Sequence, residues 1–394
     1  MINMLGWKNL PKNMGNQLHS ICSYMAMFPP TLPNYFIKKY SNVGEKVLDP
    51  FSGRGTTVLE ACVLERIGIG NDKNPLAYLL TKVKSDVPQK GRIISKINTL
   101  QEKFEQSEIN IESERPEIKM IFSDYTLKQL VFMKQNLKWR TSNVDAFITA
   151  MLLGILHGNS EGYLSLSMPN TFSMSPNYIK GYIQKHDLKK PERDVFSNLL
   201  KKLDRCYQRP KIKGTVYHQD GRSMSKIDDK SINLIVTSPP YLKVIRYGQF
   251  NWIRLWFLNR TGEETDKQLI LTESVNKYLD FMNSTLEEMK RVLKDDGKAV
   301  LVLGDVKNRD SDKVNNLAEL VLERCAEPLG FHLVEPIISD TISDESKVSK
   351  IWGEGKRGHA TQIDRILVLS KSPPALYTTL FTGLRNMFVN VWRA

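Results

Sequence analysis

Cysteine is scarce: four in 394 residues, at Cys22, Cys62, Cys206 and Cys325. None lies in a CxxC pair or a Cys/His cluster with zinc spacing, which excludes a disulfide-framed domain and a zinc module. They read as reduced, mostly buried thiols of a reducing compartment. No run of about 18 apolar residues occurs, which excludes a membrane-spanning helix. The opening MINMLGWKNLPKN lacks the apolar stretch of a secretory signal, so a cytoplasmic location is expected. No internal repeat or low-complexity tract is present. There is no phosphate-binding GKT. The third glycine of the dinucleotide fingerprint is also missing, because position 58 is Val58.

What is present in excess is positive charge. Lys and Arg number 56 against 43 Asp and Glu, a formal net charge of +13. This balance points to a polyanionic partner, of which nucleic acid is the commonest. Apolar residues at 41% and charged residues at 25% are otherwise ordinary for a globular protein with a large core.

Along the chain, EKVLDP (45–50) reads as a strand, FSGRGTTVLEACVLE (51–65) as a glycine turn running into a helix, and IGIGNDKNP (67–75) as a second strand. This is one βαβ unit. FPPTLPNYFIKKYS before it reads as a turn and a short amphipathic helix. From 77 to 210 the spacing is helical, and residues 180–213 carry eleven Lys/Arg against four Asp/Glu. Strands return at TVYHQD, INLIVTS, KAVLVLGD, HLVEPII and DRILVLS. The helix LDFMNSTLEEMKRVLKDDG is expected to end at Gly297. Strands alternating with helices predict a parallel α/β sheet with a central helical insertion. The divisions are 1–76, first part of the core; 77–210, helical insertion; 211–372, second part of the core; and 373–394, a tail.

Asp49 ends the first strand, and Gly53 and Gly55 stand in the turn that follows. Asp72 ends the second strand, where a carboxylate can accept ribose hydroxyls. Without pyrophosphate glycines the pocket suits a nucleoside, and Asp49 would repel phosphate but attract an α-amino group. S-adenosylmethionine matches both carboxylates. The alternative is a glycine turn that only connects strand to helix.

Ser238-Pro239-Pro240-Tyr241 ends an apolar central strand, whereas a second SPP at Ser372 follows a final edge strand. Prolines fix φ and remove N–H donors, so the main-chain carbonyls project rigidly. The Pro239 carbonyl and the Ser238 hydroxyl can take the two hydrogens of an exocyclic amine. That frees its lone pair to attack a methyl sulfonium, while Tyr241 stacks on the base. A base within a duplex must be flipped out to reach such a cleft.

DPFSGRGTT, NDKNP and TSPPY together resemble the amino-group DNA methyltransferases that use S-adenosylmethionine. The resemblance covers roughly 17–75 and 215–370, and implies a Rossmann-like seven-stranded sheet. It implies cofactor contacts from Phe28, Pro29, Asp49, Pro50, Phe51, Gly53, Gly55, Thr56, Asp72 and Asp220. Asp220 resembles the third-strand acid near the adenine, or else is a turn residue before Gly221. Ser238, Pro239, Pro240 and Tyr241 are the implied catalytic residues, with no metal. TSPPY resembles the cytosine-N4 enzymes more than the adenine-N6 enzymes. The rival readings are an RNA-base or protein-glutamine methyltransferase and a non-catalytic basic nucleic-acid module. Double-stranded DNA is the implied partner, with no membrane and a nucleoid-associated location; a cognate restriction or defence system is open to such an enzyme. The residues carry no signal of oligomeric state.

The insertion is the expected target-recognition region. Its Tyr178, Tyr182, Phe196 and Tyr207 read as core residues, and its lysines and arginines as a contact surface. Trp252, Leu255 and Trp256 have helical spacing and read as core, while Arg246 and Tyr247 lie nearer the cleft. KVSKIWGEGKRGHATQ (347–362) reads as a backbone-holding loop or a plain hairpin. His157, His218 and His359 have no metal spacing and read as structural.

Overall fold

A computed structural model describes residues 6–7, 15–25, 28–168, 172–240, 246–270, 272–307, 314–341 and 363–373. The main sheet is formed by β1 (Lys46–Asp49), β2 (Ile67–Asn71), β3 (Thr215–Tyr217), β4 (Ile232–Thr237) and β5 (Leu293–Gly304). After a small hairpin of β6 (Val306–Lys307) and β7 (Val314–Asn315), β8 (His332–Leu333), β9 (Ile338–Thr341) and β10 (Ile363–Ser370) complete it. The order is β3-β2-β1-β4-β5-β10-β8, with β9 also on β10. β3 to β5 run parallel and β10 runs antiparallel to β5. β8 pairs with the end of β10 at Leu369–Ser370, and β9 with its start at 363–366. The expected seven-stranded sheet therefore has seven positions, the last filled by two short strands. β10 is an interior strand, not the edge strand expected.

Side chains on successive strand residues point to opposite faces. Val47, Leu234, Val236, Val300, Val302, Ile366 and Val368 pack under α1 (Thr31–Tyr40), on which Leu32, Phe36 and Ile37 are buried. Leu48, Ile235, Leu301 and Leu367 pack on the other face, against Met282, Leu286 and Met289 of α12 (Val275–Val292). Burial on both faces explains why these strands are apolar throughout. The helix expected to run to Gly297 ends at Val292, because Leu293 is buried and pairs with Ile232 of β4.

α2 (Thr56–Val63) and α3 (Pro75–Ser85) follow β1 and β2. Asn74 caps α3, its side chain accepting from the Leu76 N–H, and Pro75 occupies the first turn. The helical region continues with α4 (Lys90–Glu105), α5 (Pro116–Lys119), α6 (Asp124–Asn136), α7 (Asn143–Ile155), α8 (Pro176–His186) and α9 (Val195–Cys206). α7 is apolar on every side and buries Val144 through Ile155, so it forms the centre of this layer. The layer is joined to α3 and to α10 (Trp252–Phe257) in one continuous core, in which Trp252, Leu255 and Trp256 are buried as expected. α11 (Gly262–Gln268) precedes α12, and α13 (Leu317–Val321) follows β7. All four cysteines are free and buried. Among the described residues no helix is long and apolar enough to cross a membrane.

Candidate active site

The chain runs outward from β1 to β2 to β3, then returns to place β4 on the other side of β1. β1 and β4 are thus the strands at which the order reverses, and open parallel sheets form their ligand crevice beyond the carboxyl ends of such strands. Val47 pairs with Leu234 and Leu48 with Ile235, so Asp49 and Thr237 end their strands side by side. The Thr237 hydroxyl donates to Asp49 Oδ1 at 2.6 Å. The glycine turn after Asp49 and Ser238-Pro239-Pro240 after Thr237 therefore leave from one point. Pro239 is buried, and Ser238 and Pro240 are half-buried; Tyr241 lies outside the described residues. The second SPP is remote: Ser370 pairs with Lys298, itself opposite Leu234, so Ser372 emerges at the other end of the sheet.

Two conformations available mainly to glycine shape the turn. Gly53 has φ +51°, and Gly55, the N-cap of α2, has φ +79°. A Cβ on Gly55 would lie 2.9 Å from the Thr81 backbone. The Thr81 hydroxyl donates to the Gly53 carbonyl at 3.2 Å, and the buried Lys84 ammonium donates to the Arg54 carbonyl at 2.5 Å. α3 thereby holds the turn from behind. Burial drives the Lys84 pKa well down. Asp72 holds it from the side: its Oδ2 accepts from the Gly53 N–H and its Oδ1 from the Asn74 N–H, both at 2.8 Å. Thr56 has its hydroxyl taken by Arg54 Nε at 3.1 Å and is buried.

Asp49 is 2% exposed, and burial pushes its carboxyl up to about 7, against the hydrogen bonds from the Thr237 hydroxyl and the Phe51 N–H. Burial likewise raises Asp72 to about 6, against its two backbone N–H bonds. Neither has a Lys, Arg or His ion pair among the described residues. A buried carboxylate and a half-buried one without a protein cation stand beside a turn where even a Cβ on Gly53 would lie 3.5 Å from the nearest side chain, Tyr24; together they form a place for a cationic, hydroxyl-bearing ligand. The α-ammonium and ribose of S-adenosylmethionine fit that donor and acceptor set.

Phe51 packs on Phe281 with ring centroids 5.7 Å apart, and a Cβ on Gly221 would sit 2.7 Å from the Phe51 ring. This apolar wall adjoins Asp220, whose carboxyl is held well below the usual range by Arg222 and by Lys73, the latter at 2.9 Å. Asp220 also accepts from the Arg222 N–H, as a turn residue does. Pro50 gives its carbonyl to Asn71 Nδ2 at 3.2 Å. Phe28 packs on the α1 face of the sheet, and Pro29 is exposed before α1.

Two participants escaped the sequence reading. Thr237 stands beside the motif, but only strand pairing shows that its hydroxyl meets Asp49. Tyr24, in SICSYMA, carries no pattern at all. Its ring stacks on Tyr247 at 5.7 Å and 23°, and its hydroxyl accepts from Asn74 Nδ2 at 3.1 Å. Burial, with Asp72 nearby, raises the pKa of both tyrosines. Of the histidines, His157 is buried on the Ser165 hydroxyl and His218 meets the Lys73 carbonyl. His359 and the whole 347–362 loop lie outside the described residues.

The DNA methylase family model matches residues 4–82 and 232–383, more than half of the chain. The chain belongs to the amino-group (N6/N4) DNA methylase family. S-adenosylmethionine is the cofactor of that family. Among curated relatives, the type II methyltransferase M.MvaI of Kocuria varians is 24% identical over 71% of this chain and 68% of its own length. M.MjaII of Methanocaldococcus jannaschii is 37% identical over 18% of this chain, and that match spans only 14% of the relative. Among solved structures, a SAM-dependent methyltransferase of Methanosarcina mazei aligns with 9% identity, 88% of this chain, 99% of that chain and a TM-score of 0.36.

Proposed function

We propose that this methylase transfers a methyl group from S-adenosylmethionine to the exocyclic amine of a flipped DNA base, with cytosine N4 preferred. The observation that carries the reading is the Thr237–Asp49 hydrogen bond, which joins the ends of the cofactor turn and the SPP strand. Asp49 would take the α-ammonium, Asp72 the ribose side, and Phe51 with Asp220 the adenine side. Phe28 and Pro29 would border the methionine end, and Gly53, Gly55, Pro50 and Thr56 shape the turn. S-adenosylmethionine supplies a methyl group on a sulfonium, which leaves as a neutral thioether when the C–S electron pair returns to sulfur.

Ser238 and the Pro239 carbonyl would accept the amine hydrogens and turn its lone pair toward the methyl carbon. Pro240 keeps this backbone rigid and Tyr241 stacks on the base. The new C–N bond leaves a proton on nitrogen, which departs to water. Holding the reactants in line supplies much of the acceleration. The duplex would lie against the basic surface of the helical region.

Ser238, rather than Asp or Asn, before the prolines favours cytosine; adenine N6 is the second reading. Nucleoside mass spectrometry of DNA from cells expressing the chain tests both. N4-methylcytosine is expected, and N6-methyladenine alone overturns the cytosine preference. Labelled-methyl transfer to duplex DNA, tRNA and total protein tests the substrate class. Label in RNA or protein alone overturns the DNA reading.

A further inference from the structure

The four aromatics interleaved with the basic residues of the insertion do not share one fate. Phe196 is 1% exposed, and Tyr207 packs edge-on against Phe147. Tyr178 is 45% exposed and stacks on Tyr182, with centroids 6.1 Å apart and planes 20° apart. Tyr182 lies in turn 4.3 Å from the His186 ring. Residues four apart on a helix lie on one face, so Tyr178, Tyr182 and His186 follow one another along α8, the first pair stacked and the second tilted by 40°.

α8 has eleven residues and buries only Ile179. So short a helix gains little from its own backbone. Tyr182 is half-buried against the core, but Tyr178 and His186 are exposed, and core packing does not account for them. Its flanks and the turn after it are basic: Lys180, Lys185 and Lys189 are exposed and have no ion pair among the described residues. The segment leading into the helix is tied to the segment that follows Tyr247. The Ser173 N–H donates to the Phe250 carbonyl at 2.9 Å, and Trp252 Nε1 donates to the Met174 carbonyl at 2.8 Å. Phe250 and Trp252 follow Tyr247, which stacks on Tyr24 beside the glycine turn.

We infer that α8 is a DNA-docking helix whose Tyr178–Tyr182 ladder stacks on bases next to the flipped nucleotide while Lys180, Lys185 and Lys189 hold the flanking phosphates. The occupant is duplex DNA, chosen by charge complementarity and by this tie to the segment that follows Tyr247. This deepens, and rests on, the DNA reading above. Flat rings beside fixed cations are the chemistry that binds unstacked bases, and a flipped nucleotide leaves such base faces open.

The test is fluorescence anisotropy with a labelled mixed-sequence duplex, at several salt concentrations, with unlabelled tRNA as competitor. Stabilisation by S-adenosylmethionine serves as the folding control. Tyr178→Ala and Tyr182→Ala are each expected to weaken duplex binding about tenfold, and Tyr178→Phe to restore it. Lys180→Gln, Lys185→Gln and Lys189→Gln are each expected to lower the salt slope by about 1. All are expected to keep the cofactor-induced rise in melting temperature. If wild type binds duplex and the variants match it in affinity and slope, the inference is overturned and the DNA reading stands. If wild type responds to S-adenosylmethionine but prefers tRNA to duplex, both are overturned.

Discussion

The hydroxyl of Thr237, the last residue of β4, lies 2.6 Å from Oδ1 of Asp49, the last residue of β1, and both side chains are buried. The bond spans 188 positions of the chain and ties the two halves of the crevice together. Thr237→Val keeps the shape but removes the donor to a buried carboxylate. Hydrogen bonds to charged groups are worth about 2 kcal/mol, so urea unfolding above pH 7 is expected to show a loss of about that size. Near pH 5, where Asp49 is protonated, the loss is expected to shrink, and Thr237→Ser is expected to recover most of it. An equal loss at both pH values contradicts a bond to the ionised carboxylate.

The pH dependence has a definite sign. Burial raises Asp49 to about 7 and Asp72 to about 6, so both bind protons more tightly folded than unfolded. Between an ordinary carboxylate value near 4 and those values, the folded state holds the extra protons. The ligand-free protein is therefore expected to lose stability as pH rises through that window, by a few kcal/mol in all. Asp49→Asn removes its share, so its melting temperature is expected to exceed that of wild type near pH 8 but not near pH 5. Cofactor affinity in wild type is expected to rise over the same window, because only ionised Asp49 pairs with an ammonium. A flat affinity profile would separate Asp49 from the cofactor. The site thus costs stability that a bound cation returns.

Much of this arrangement was legible because each residue punctuates the chain. Asp49, Gly53 and Asp72 stand where a strand ends or a turn needs positive φ, and the strands between them bury both faces. What stayed hidden depends on pairing across distance. Tyr24 is held at the site by residues distant in sequence: Asn74 donates to its hydroxyl, Tyr247 stacks on its ring, and Arg254 of α10 donates to the neighbouring Ser23 hydroxyl at 2.7 Å. The helix boundary at Gly297 was misplaced because KDDG resembles a C-cap, yet Leu293 gains more by joining the sheet beside Ile232. Of the two α8 tyrosines that read as core residues, Tyr182 packs half-buried against the core while Tyr178 is exposed, since spacing alone does not tell an outward stripe from an inward one. The DNA methylase family match agrees with the resemblance carried by DPFSGRGTT and TSPPY.

Asp72 and Tyr241 are expected to fail differently. Asp72 fixes the Gly53 and Asn74 N–H groups, so Asp72→Ala loosens the turn as well as removing the acceptor. Its cofactor Kd is expected to rise more than tenfold, a loss of two hydrogen bonds to a charged group at about 1.5 kcal/mol or more each. Tyr241→Ala is expected to raise the KM for DNA and leave the cofactor Kd within about twofold, since stacking on the base is its role. Calorimetry with S-adenosylmethionine, beside steady-state methylation, separates the two. Equal losses of cofactor affinity would contradict the division of labour.

Gly55 and Gly44 offer a paired measurement of what the turn requires. Both adopt positive φ, +79° and +81°. A Cβ on Gly44 meets nothing within 4 Å, whereas one on Gly55 lies 2.9 Å from the Thr81 Cα. Gly44→Ala therefore carries only the left-handed backbone cost, about 1 kcal/mol. Gly55→Ala carries that cost and also pushes α3 away from the turn, so about 3 kcal/mol or more is expected. The same displacement moves the Thr81 hydroxyl off the Gly53 carbonyl, so Gly55→Ala is expected to lose cofactor affinity, while Gly44→Ala keeps it. Urea unfolding and calorimetry on the two variants measure both effects. Equal stability losses would mean that α3 does not brace the glycine turn.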